Sequence, residues 1–155
     1  MTSLIVLLTV LHVIGASVLL GTGAGIAFFM VMADRTGDAK LVAHTAGVVV
    51  IADFVFTATA IVLQPLTGLA LALVEGQPLG QRWILASLGL YLIAGAFWLP
   101  VVWMQLRMRD LARDAAKAGG PLPAAYRRLY RIWFAFGFPA FAAVIAILWL
   151  MVAKP

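Results

Sequence analysis

Asp53-Phe-Val-Phe-Thr-Ala-Thr-Ala-Ile-Val-Leu-Gln-Pro-Leu-Thr-Gly68 sets a carboxylate inside a long apolar run. At about 100° per residue, Asp53, Thr57, Ala60 and Gln64 fall in one narrow helical stripe, and Pro65 removes a backbone donor just beyond it. An ionisable group within an apolar span faces other protein or a wet cavity rather than lipid. The stripe therefore asks for further helices packed around it.

The rest of the chain supplies them. With 65% hydrophobic and only 11% charged residues, the 155-residue chain has too little polar surface to cover a soluble domain. A span needs roughly 20 apolar residues, so there is room for a few crossings and no sizeable soluble domain. Working outward from Asp53, the pattern predicts an all-α, integral-membrane four-helix bundle, one domain over residues 1–155. The spans are expected at about 4–32, 41–74, 83–117 and 126–153, the second kinked near Pro65 because it is too long for one straight crossing. The first is read as a retained helix, since no Lys or Arg precedes it and it outruns a signal h-region.

Cysteine is absent, which excludes disulfides, thiolate metal sites and cysteine nucleophiles. No phosphate loop, zinc spacing or Ser-His-Asp set occurs, so hydrolytic chemistry is disfavoured. The net charge of +5 resides in the stretch from Arg107 to Arg131, where seven Lys/Arg face Asp110 and Asp114. A basic stretch joining two apolar spans reads as a cytoplasmic loop drawn to anionic headgroups rather than as a nucleic-acid surface. The first and third connections carry nine Lys/Arg (Arg35, Lys40 and those seven), against Arg82 and Lys154 on the other side. Both termini are therefore expected outside the cytoplasm.

Few residues carry chemistry. His12 lies about 13 Å into the first span at helical rise. It reads either as an axial ligand to haem iron, as a partner of Asp53 in a proton relay, or as a neutral histidine hydrogen-bonded to a neighbouring helix. His44, near the opposite interface, reads as hydrated. Asp53, Thr57 and Gln64 fit a proton or cation path, a substrate clamp, or interhelical glue. Ser87, Tyr91, Ala94, Trp98 and Gln105 make a second polar and aromatic stripe, able to face the first, with Trp98 placed to stack on a flat ligand. The other tryptophans read as interface belt and packing. Met30, Met32, Met104 and Met108 fit either Cu(I) binding or ordinary packing. Ser17, Gly21 and Gly25 recur every fourth residue, the spacing that lets helix backbones approach closely.

On Leu11-His12, Asp53, Leu63-Gln-Pro-Leu-Thr-Gly68, Trp98-Leu-Pro-Val101, Ala125-Tyr126, Gly137-Phe-Pro-Ala140 and Leu150-Met-Val-Ala-Lys-Pro155, the chain resembles, nearly end to end, a bacterial family of small integral membrane proteins (domain of unknown function 2269). That resemblance implies a multi-pass protein of the bacterial inner membrane and supplies no activity. More distantly, Leu11-His12 followed by a glycine-rich stretch is similar to the four-helix haem-binding protoporphyrinogen oxidase and copper-resistance membrane domains. That likeness implies haem at His12.

Three functions of different classes fit these residues. One is a redox or porphyrin-handling protein binding haem b through His12, with Tyr91 or Trp98 against the ring and Asp53 as the catalytic proton carrier. Another is a transport or proton-relay protein using Asp53, Thr57 and Gln64. The third is a non-catalytic assembly protein, a homo-oligomer in the lipid bilayer joined through Ser17, Gly21 and Gly25. Substrate and redox partner are not written in the chain.

Overall fold

The computed structural model describes residues 2–154, so Met1 and Pro155, the two ends of the expected domain, lie outside the described residues. Among the described residues the chain is helical throughout: α1 (Thr2–Thr36), α2 (Ala39–Ala52), a π turn (Asp53–Thr57), α3 (Ala58–Val74), α4 (Arg82–Ala118) and α5 (Ala124–Ala153). α2, the π turn and α3 form one continuous rod, giving four rods long and apolar enough to cross a membrane. Large apolar side chains point outward along them, Leu92 at 72% and Trp149 at 70% exposure, while the buried polar groups lie within. That distribution is the inverse of a soluble protein and places the bundle in a lipid bilayer.

Local chemistry sets the rod ends. Asp38 caps α2 by accepting from the backbone N–H groups of Lys40 (2.7 Å) and Leu41 (3.4 Å). Gly37 (φ +65°) and Gly119 (φ +64°) hold the left-handed conformation that stops α1 and α4, a position a Cβ would strain. The loop holding Pro121 and Pro123 then turns the chain into α5.

The core is one-sided. Met30, Val42, Ala46, Met108, Ala112 and Tyr126 are almost wholly buried, and all lie toward the end where the basic α4–α5 connection sits, here termed the basic end. The methionines follow this division: Met30, Met104 and Met108 are core, whereas Met32 faces outward.

α4 packs along α5 and along α2 but scarcely touches α3, which packs on α1 instead. The second rod thus exchanges its main neighbour at the π turn, and α3 and α4 diverge toward the terminal end. The irregularity expected near Pro65 lies at Asp53–Thr57, while the helical rod continues unbroken through Pro65. The reason is local. Pro65 cannot donate to the carbonyl of Ile61, but the Tyr91 hydroxyl on α4 donates to that oxygen in its place.

Candidate functional site

Two polar clusters lie inside the bundle, both on the second rod. The first surrounds Asp53, which is 3% exposed. Its Oδ1 accepts from Trp98 Nε1 on α4 at 3.4 Å, a long contact. Its Oδ2 meets the Gln105 amide one and a half to two turns further along α4. Hydrogen-bond chemistry fixes the orientation of that amide: Trp133 on α5 can only donate, so Gln105 Oε1 accepts from Trp133 Nε1 at 3.3 Å and Nε2 donates to Asp53 Oδ2 at 2.9 Å. A chain from α5 through α4 to the π turn is thereby closed. Both carboxylate oxygens are served by neutral N–H donors, and no Lys, Arg or His pairs with Asp53 among the described residues.

Thr57 lies one turn on, 7% exposed, and its hydroxyl faces the Asp53 carboxylate without making a well-formed hydrogen bond to it or to any other atom among the described residues. The backbone between them is the π turn, in which the Ala58 N–H reaches back five residues to the Asp53 carbonyl. Such turns are rare and are frequent at functional sites.

The second cluster docks α1 onto α3. His12 Nδ1 lies 2.8 Å from Thr67 Oγ1. The Thr67 hydroxyl also lies 2.7 Å from the Leu63 carbonyl, so it links the His12 ring to the backbone of α3. Gln64 Nε2 donates to the His12 carbonyl at 2.7 Å. Gly68 leaves room for the ring, since a Cβ there would come 3.1 Å from His12 Cε1, and a Cβ on Gly15 would collide with the Gln64 amide. The stretch Gln64-Pro-Leu-Thr-Gly68 is thus a docking surface for α1 in which Gln64, Thr67 and Gly68 each touch His12.

The residues assigned to haem do not gather round one cavity. His12 meets the second rod at Thr67, Tyr91 meets it at Ile61 and Trp98 meets it at Asp53. Fourteen residues separate Thr67 from Asp53, about 21 Å of helix. His12 and Asp53 accordingly belong to separate clusters, and Tyr91 and Trp98 are held by a carbonyl and a carboxylate. This set does not fit a haem ring. His44 is exposed, away from both clusters. Ser17 and Gly21 face outward beside Phe56, and Gly25 is half-buried.

Sequence reading missed Trp133, taken as packing, Thr67 and Gly68 as partners of α1, and Gly15 as the place on α1 that receives Gln64. A signal for Thr67 existed. It continues the stripe Asp53, Thr57, Ala60, Gln64 at the same alternation of three and four residues.

A polytopic helical membrane protein with a buried, uncompensated carboxylate is the class these features define. Residues 6–155 match the family described as predicted integral membrane protein (DUF2269), and the chain belongs to it. No curated protein and no solved structure matches the chain.

Proposed function

We propose that this protein moves protons within the bilayer, with Asp53 as the group that gains and loses them. The observation that carries this reading is the burial of Asp53 without a cationic partner among the described residues, beside the buried Thr57 hydroxyl on a π turn. A carboxylate in an apolar span is costlier than interhelical glue requires, and such groups mark proton and ion paths. Thr57, Gln64 and Thr67 continue the line of polar groups along the second rod toward the chain termini, where His12 of α1 meets it. Water is needed to bridge the seven-residue interval from Thr57 to Gln64, about 10 Å of helix. The distribution of Lys and Arg supports termini on the outer face of a bacterial inner membrane, with the basic end in the cytoplasm.

The test is proton flux into liposomes carrying a pH-sensitive dye under an imposed potential. Flux above that of protein-free liposomes, reduced at least tenfold in Asp53→Asn, is the expected result. Flux unchanged by that substitution removes the proposal.

A second reading is membrane assembly, favoured by the outward depression of about 480 Å³ that Ser17 and Gly21 line with Phe56. Within the chain a Cβ on Gly21 meets nothing within 4 Å, so Gly21→Leu leaves the folded protomer intact. Sedimentation of the variant in detergent as a smaller species than the parent supports assembly; identical sedimentation refutes it.

A further inference from the structure

We infer that the outward face of α5 is a binding site for one anionic phospholipid, its phosphate held by Arg127, Arg128 and Arg131. The three arginines line a depression of about 410 Å³ together with Ala124 and Ile132. All three are exposed, and none pairs with a carboxylate among the described residues, whereas Arg109 is neutralised by Asp110 at 2.9 Å.

Their position on the helix identifies the ligand. Tyr126 and Trp133 are buried and Tyr130 packs against the core, which fixes the inward face of α5. At about 100° per residue, the arc of Arg127, Arg128 and Arg131 is centred on the opposite side, facing away from the bundle. That same side continues along the helix as Ala135, Phe138, Ala142, Ile145 and Trp149, all exposed, with Phe138 at 64%. A basic cluster at the end of a span, with an unbroken apolar track below it, matches a headgroup phosphate above an acyl chain. A free anion would use the first and leave the second bare. Planar guanidiniums are suited to phosphate, and each basic group near a membrane surface strengthens binding of anionic lipid severalfold.

The experiment uses the full chain in detergent, with bound lipid counted by native mass spectrometry during titration with phosphatidylglycerol, phosphatidylcholine or glycerol 3-phosphate. Phosphatidylglycerol is expected to bind at least tenfold more tightly than either of the others. The Arg127→Gln, Arg128→Gln, Arg131→Gln variant should bind it on the order of 100-fold more weakly, roughly fivefold per arginine. A charge-matched control, Arg107→Gln, Arg113→Gln, Lys117→Gln on α4, should change the affinity less than threefold. Thermal melting by circular dichroism verifies folding; should the triple variant not fold, the three single variants carry the test. Undiminished affinity in the α5 variant, an equal loss in the α4 control, or glycerol 3-phosphate binding as tightly as the lipid would each overturn the inference.

Discussion

Asp53 is the one acidic residue of six in the interior of a span; the other five sit in the last turn of α1, in the connections or on the basic extension of α4. Its environment consists of donors on α4, and the better of them, Gln105, is itself aimed by Trp133. Gln105→Leu therefore removes the 2.9 Å donor and leaves Trp133 Nε1 unpaired in a buried position. A loss of about 1–3 kcal/mol in stability is expected, the usual cost of orphaned buried polar groups. Equilibrium unfolding in mixed micelles measures it, and a change below about 0.5 kcal/mol would mean that Gln105 does not serve the carboxylate.

At the scale of elements, Pro65 and Tyr91 form a pair. One removes a donor from inside a transmembrane rod and the other restores it from the facing rod. Tyr91→Phe should cost about 1 kcal/mol, because the Ile61 carbonyl is left without that donor. In a Pro65→Ala background the helix supplies its own N–H, so the same substitution should cost markedly less. A double-mutant cycle by equilibrium unfolding reads the difference as a coupling. Additive effects would show that the hydroxyl does not compensate for the proline. Asp38 at the head of α2 and Gly119 after α4 needed no such tertiary partner, since capping is written within a few residues of sequence.

Over the whole molecule, the hydrophobic core cluster lies toward the basic end, while toward the termini α3 packs on α1 and stands away from α4. In lipid the driving force for helix association is close packing and hydrogen bonding rather than escape from water. Met108, wholly buried, should thus cost about 1–3 kcal/mol on truncation to Ala through the cavity left behind. Leu92→Ala, on a side chain 72% exposed to lipid, should stay within about 0.5 kcal/mol. Equal costs at the two positions would contradict a core confined to one end.

The number of rods, their all-helical nature and the seclusion of Asp53 were legible in the chain, because hydrocarbon imposes them on any sequence of this composition: backbone groups must bond internally and charge must turn inward. What the sequence left open was depth and register along a second rod too long to fix by length. Only the packed structure decided that His12 meets Thr67 while Trp98 and Gln105 meet Asp53, about 21 Å further along. Contacts between rods depend on how far one slides and turns against the next, and no periodicity within a single helix encodes that displacement.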